Sequence, residues 1–116
     1  MSVPRIESYH FGKIVIDGNS YSSDVIIYPD RIVDQWWRRK GHMLQPSDLG
    51  DVLGHPPEVL VIGQGSVSRM EVPVQTQTAL QQEGIEVIVQ STTRACKTYN
   101  RLCGKRKVVA ALHLTC

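Results

Sequence analysis

The amino-acid sequence predicts an α/β domain, and three observations carry that expectation. Val59-Leu60-Val61-Ile62 is an apolar run of strand length that ends in Gly63-Gln64-Gly65, the pattern of a strand buried on both faces. Two helix–strand pairs follow, and their helices are closed by Gly84 and Gly104, the residue type that favours the left-handed position after a helix. The first third reads instead as β-structure around the turn Asp17-Gly18-Asn19, which gives that portion α+β character and an N-terminal β-hairpin. The expected architecture is one compact domain over residues 1–116, with a mixed central β-sheet and helices packed on it.

Each element has its own signal. Residues 6–11 alternate without a clear apolar face, whereas residues 13–16 and 24–28 are convincing strands, the second closed by Pro29-Asp30. Residues 31–37 are rich in β-formers and predict a further strand. Gln45-Pro46-Ser47-Asp48 resembles a helix start, with Leu49, Val52 and Leu53 as a short apolar face and Gly54 to Pro57 as the stop. A helix over 76–83 turns Ala79 and Leu80 inward, and 85–89 is a strand. Ser91 or Thr92 caps a last helix that carries Ala95, Cys96, Tyr99, Leu102 and Cys103 at helical spacing. Val108 to Leu112 is almost wholly apolar, so it predicts a central strand.

Composition bounds the function classes. With 116 residues, 41% of them hydrophobic and 21% charged, the chain has material for one core. Thirteen basic against eleven acidic residues give +2, too small a balance to argue for nucleic acid or an anionic membrane. No run reaches the roughly 18 apolar residues of a membrane helix. Met1-Ser2-Val3-Pro4-Arg5 lacks the features of a signal peptide or of an Arg-rich leader, so a cytoplasmic location is expected. Three cysteines make no disulfide framework. Cys96 and Cys103 share one helix face about 10 Å apart, too far to bridge, and read as buried thiols.

Several short motifs, in chain order, carry a family resemblance. They are Arg31…Trp36, Leu60-Val61-Ile62-Gly63-x-Gly65, Gly84-Ile85-x-Val87, Ala95-x-x-x-Tyr99-Asn100-x-Leu102, Arg106-x-Val108 and His113-x-Thr115-Cys116. Across nearly the whole chain they resemble the Mth-type domain family, catalogued as domain of unknown function four-nine-eight. That family includes an adipogenesis-associated animal protein and a mitochondrial assembly factor for respiratory complex I. The resemblance implies a single Mth-like α/β domain. It implies no catalytic residues, and its assembly-factor branch implies protein binding. The mitochondrial setting is not carried over, because no organelle leader is read here.

The candidate sites are each weighed against a plainer role. Gly63-Gln64-Gly65 after a buried strand can cradle a phosphate on backbone N–H groups. However, Ser68 and Gln90 stand where the dinucleotide fingerprint wants a third glycine and an acid, and the P-loop lysine is missing. A tight structural turn is the better reading. Tyr99, Asn100 and Arg106 match family positions; lining a polar cleft beside that loop and tying the last helix to the strand loops both remain open. Trp36-Trp37-Arg38-Arg39-Lys40 is the sharpest surface candidate. On a strand its two indoles point to opposite faces, and Trp and Arg are typical interface anchors; the plainer role, both indoles covered by the following loop, stands equally beside it because Trp is highly buried on average. Lys105-Arg106-Lys107 reads as a solvated helix end. His113 and Cys116 are a thiol and an imidazole three apart, which diverge on a strand, and a packed strand end is preferred to a nucleophile and base. His10, His42 and His55 show no metal-ligand spacing.

The expected function is therefore a noncatalytic protein-binding or assembly module of the cytoplasm, with Trp36, Trp37, Arg38 and Arg39 as its partner surface. No cofactor, metal or membrane insertion is expected, nucleic acid is disfavoured, and a homo-oligomer is compatible. The alternative is a small-molecule or anion-binding protein, with or without enzymatic action, whose cleft would use Gly63, Gln64, Gly65, Asn100 and Arg106. No complete catalytic constellation supports an enzyme.

Overall fold

The computed structural model describes residues 3–116. Met1 and Ser2, part of the start that was read as leaderless, lie outside the described residues. Strands β1 (Ile6–His10), β2 (Lys13–Ile16) and β3 (Asn19–Tyr21) form an antiparallel sheet in the order β1-β2-β3. Between β2 and β3, Asp17 and Gly18 both take positive φ, 49° and 81°, as a two-residue turn matched to strand twist requires. The expected hairpin is thus present, extended by one strand. The register shifts between Ile6 and Ser8, and this bulge is why the alternation of β1 shows no clean apolar face.

The second sheet contains β4 (Val25–Ile27), β5 (Ile32–Val33), β6 (Val59–Gly63), β7 (Glu86–Gln90) and β8 (Val108–Leu112) in the order β5-β4-β8-β6-β7. β6 pairs in parallel with β7 and β8, while β4 pairs antiparallel with β5 and β8. The sheet is mixed and β8 lies at its centre, as its apolar sequence predicts. A 3₁₀ turn, Pro46–Leu49, runs into α1 (Gly50–Gly54), followed by α2 (Val74–Gln82) and α3 (Thr92–Leu102).

The sheet divides the core into two faces. Val59, Val61, Val108, Ala110 and Leu112 pack toward Ala95, Cys96 and Tyr99 of α3 and Ile14 and Ile16 of the first sheet. Leu60, Ile62, Val109 and Ala111 point the other way, toward Trp36, Leu49, Val52, Met70 and Leu80. Successive strand residues alternate between faces, so strands covered on both sides must be apolar throughout. Cys96 is buried, and burial pushes its thiol up to about 12, which leaves it protonated and inert. Cys103 is only half-buried.

One expected strand is cut short. Only Ile32 and Val33 of residues 31–37 pair in the sheet. Gln35 takes φ 53°, its N–H donates to Ser23 Oγ at 2.8 Å and the Trp36 N–H to Asp24 O at 2.9 Å. β-propensity yields here to these tertiary bonds.

α3 is fastened to β1 by the side chains of its family motif. The Ile6 N–H donates to Asn100 Oδ1 at 3.0 Å and Asn100 Nδ2 donates to Ile6 O at 2.7 Å. The amide thus pairs with the strand backbone as a neighbouring strand would. Tyr99 Oη donates to Pro4 O at 2.6 Å, and burial holds this phenol well above its ordinary value. Asn100→Ala removes two part-buried bonds and is expected to destabilise the fold by about 2 kcal/mol, read from urea denaturation. A change below about 0.5 kcal/mol would refute this fastening role.

Candidate functional site

The segment after β8 is the hub of one end of the molecule. The His113 N–H continues the ladder to Gly63 O at 3.0 Å, and Leu114 O accepts from the Gly12 N–H at 2.9 Å and from Tyr9 Oη at 2.7 Å. Thr115 O accepts from the Ser66 N–H at 2.7 Å and Cys116 O from the Arg69 N–H at 2.9 Å. Four residues therefore draw the β1–β2 turn and the loop after β6 to the carboxyl ends of β6 and β8, where ligands usually sit in open α/β sheets.

Under this hub lies a buried ionic cluster. Asp24, just before β4, accepts the Leu114 N–H on Oδ1 at 2.8 Å. Its Oδ2 stands 2.8 Å from His113 Nδ1 and 2.7 Å from Arg38 Nη1. The Arg38 contact is a close charge pair rather than a hydrogen bond, since Nη1 has no hydrogen-bond partner of good geometry. Arg38 Nη2 lies 3.0 Å from the same His113 nitrogen, and Nε donates to Gly41 O at 2.9 Å. A carboxylate accepts more strongly than a neutral ring nitrogen, which assigns the imidazole proton to Nδ1, facing Asp24. Nε2 is left toward Thr115 Oγ1 at 3.5 Å, with the His42 ring edge-on at 5.6 Å. Burial opposes ionisation of Asp24, but the hydrogen bonds from His113 and the Leu114 N–H, together with the adjacent Arg38 charge, outweigh it and hold the carboxyl below its ordinary value.

These contacts sort the expected partner patch. Trp36 and Arg38 are each 9% exposed. Trp36 belongs to the core, its Nε1 donates to Asp48 O at 3.0 Å, and the Arg38 guanidinium lies over its ring at 4.8 Å. Trp37 is 82% exposed, and Arg39 is exposed, its backbone N–H donating to Asp48 Oδ1. The indoles do take opposite environments, but on a loop rather than a strand. Only Trp37 and Arg39 of the four expected residues remain on the surface.

The glycine loop is occupied by the chain itself. The N–H groups of Gln64, Gly65, Ser66, Ser68, Arg69 and Met70 all donate within the protein. Of the two expected caps, Ser91 occupies the N-cap position of α3 without a side-chain capping bond, and Thr92 Oγ1 accepts from the Gly65 N–H at 2.8 Å and donates to His113 O at 2.5 Å. Nor do the five expected cleft residues converge. Asn100 is engaged on β1, and Arg106 pairs with Glu86 at 3.0 Å beside the amino end of β7. Gly63 pairs with Gln90 and Leu112 at the other end of these strands, roughly 13 Å away along the strand rise. Arg106 and Gly63 therefore lie at opposite ends of the sheet. Cys116 Sγ lies 4.0 Å from His42 Nε2, and His113 turns its Nδ1 inward to Asp24 with the same His42 ring edge-on to it at 5.6 Å.

The sequence reading missed Asp24 altogether. An aspartate before a strand carries no motif, and its two hydrogen-bonding partners in the C-terminal segment lie 89 and 90 residues away. Also missed was a set of exposed apolar side chains around the hub. Phe11 is 64% and Val67 65% exposed. Phe11 adjoins Gly12, Val67 adjoins Ser66, and Trp37 lies between Trp36, whose N–H donates to Asp24 O, and Arg38, which pairs with the Asp24 carboxylate, so all three loops are pinned to the 113–116 segment or to Asp24 beneath it. Arg39, Lys40, His42 and Arg69 are exposed on the same loops, with Asp34 and Glu71 as the neighbouring acids. Among the described residues no group of three His, Cys, Asp or Glu side chains is placed to hold a metal ion, and no helix is long and apolar enough to cross a membrane.

Relatives share this architecture. The chain matches the family model described as "Protein of unknown function (DUF498/DUF598)" over residues 6–113. It is 31% identical over 109 residues to a Xenopus tropicalis protein named NADH dehydrogenase (ubiquinone) 1 alpha subcomplex assembly factor 3, covering 91% of this chain and 58% of that protein. The chain thus spans a little over half the length of this relative. A conserved hypothetical protein from Pyrococcus horikoshii is 30% identical, with a TM-score of 0.81 over 97% of this chain and 99% of that one. An Mth938-like domain from Bordetella pertussis, 23% identical, shares the fold with a TM-score of 0.75 over 96% of this chain and 85% of that one. With a family model that runs from β1 to the residue after β8, and solved relatives of the same architecture, the chain belongs to the DUF498/DUF598 family and has its Mth-like α/β fold.

Proposed function

We propose that this chain is a noncatalytic protein-binding or assembly module of the cytoplasm, and that it meets its partner through the face around Trp37. The observation that carries this reading is the 82% exposure of Trp37 between two neighbours locked into the interior. An indole held outward on a rigid loop loses little conformational freedom on binding, and buried Trp and Arg side chains dominate interface energetics. Phe11 and Val67, on loops held to the same C-terminal segment, offer further exposed apolar side chains, and Arg39 and Arg69 offer exposed charge. A relative named as an assembly factor supports a role of the same type. The alternative anion site at Gly63–Gly65 has less support, because the donors it needs are already satisfied within the chain.

The test is affinity capture from native lysate with wild-type protein and a Trp37→Ala, Arg39→Ala form. Arg38 is left intact because it is part of the buried cluster. Both substituted side chains are exposed, so the thermal midpoint should stay within about 2 °C. Capture of the specific partner should fall at least about tenfold, the loss of one hot spot. A stoichiometric partner retained at full strength would refute this face.

A further inference from the structure

At the opposite end of the sheet, a 480 Å³ cleft opens between the β4–β5 turn, α1 and the first residues of β8. Its size is that of a small-molecule site. Tyr28 and Val109 form an apolar floor, and both are nearly fully buried. Arg31 forms one wall: its guanidinium lies 4.0 Å from the centroid of the Tyr28 ring, and Asp30 pairs with it at 3.2 Å. That pair neutralises itself. Two further opposite charges line the cleft, Asp51 from α1 and Lys107 ahead of β8. Neither forms an ion pair within the described residues. His55, which caps the end of α1, completes the polar rim. An apolar floor between one free carboxylate and one free ammonium is complementary to a ligand of the reverse pattern.

We propose that this cleft binds a small zwitterion, a free amino acid or dipeptide with an apolar side chain, its ammonium on Asp51, its carboxylate on Lys107 and its side chain against Tyr28 and Val109. The site is separate from the Trp37 face and does not depend on it. The ligand's two charges must both matter, because each meets a group that otherwise stays unpaired.

The experiment follows the amide NMR shifts of the protein during titration with L-leucine and with L-leucyl-L-leucine, the two sources of this chemistry. N-acetylated and C-amidated forms of the same compounds remove one charge at a time. The proposal expects saturable shifts at Tyr28, Val109 and Asp51 for at least one zwitterion, and at least about tenfold weaker binding of both blocked forms. Asp51→Asn should erase the preference over the acetylated compound, and Lys107→Ala the preference over the amide. Both side chains are exposed, so the variants should keep the wild-type spectrum elsewhere. Absence of saturable shifts up to about 10 mM of either zwitterion, or equal binding of either blocked form, overturns the proposal.

Discussion

Asp24→Ala is expected to destabilise the protein by about 3–5 kcal/mol, the range for breaking a buried ion pair from one side. Asp24 is 15% exposed at its side chain, Arg38 5% and His113 7%. Removing the carboxylate leaves the Arg38 charge buried without its counter-ion and deprives the Leu114 N–H of its acceptor. Asp24→Asn keeps an acceptor for Leu114 and loses only the charge, so its cost should be smaller. Urea denaturation near neutral pH measures both.

The same cluster predicts a dependence on pH. The folded-state carboxyl of Asp24 ionises below its ordinary value of 3.8. Ionised Asp24 therefore contributes stability that is full above the unfolded value, about 3.9, and is lost as pH falls through the lowered folded value. The stability gap between wild type and Asp24→Asn should be flat from about pH 7 to pH 5 and should narrow below about pH 4. A gap that stays constant down to about pH 3 would mean that Asp24 is not the ionised anchor of the cluster.

What sequence could reveal divides along a physical line. β6 and β8 were readable because a strand covered on both faces must be apolar at every position, and the central place of β8 follows from the same fact. The ends of α2 and α3 were readable because Gly84 and Gly104 take φ 81° and 82°, a conformation that local chemistry dictates. The ionic cluster was not readable, since Asp24, Arg38 and His113 meet only when β4 and β8 pair antiparallel. Residues 31–37 misled for a related reason: Ile32, Val33, Trp36 and Trp37 all favour strands, and the bonds from the Gln35 and Trp36 N–H groups to Ser23 and Asp24 break the run. The parity of the indoles came out correctly all the same, because adjacent residues on an extended loop also face opposite ways. For the glycine loop the sequence marked the strand-end turn but not its occupant, which comes from the far end of the chain.

That occupant makes Gly65 the most restrictive glycine in the fold. A Cβ at Gly65 would stand 2.6 Å from the carbonyl carbon and oxygen of Cys116 and 2.8 Å from Thr115 O, at φ 107°. These are backbone atoms, so no side-chain rotation relieves the clash. Gly65→Ala must push the 113–116 segment away, which strains or breaks the bonds from the Ser66 and Arg69 N–H groups. Backbone strain of about 1–3 kcal/mol adds to roughly 1 kcal/mol for each lost bond, so a cost of about 3–5 kcal/mol is expected. Gly84→Ala is the control. Gly84 has φ 81° but nothing within 4 Å of its missing Cβ, so only the conformational part, about 1 kcal/mol, should appear. Denaturation of both variants, with hydrogen exchange at the Ser66 and Arg69 amides, separates strain from displacement. Equal costs for the two alanines, or full protection of those amides in Gly65→Ala, would refute the packing of this segment on the loop. The same geometry decides how ligand experiments on this loop must be read. Loss of any bound compound in a Gly65 variant would report the displaced segment rather than a missing anion contact, so the loop is better probed by titration of the intact protein.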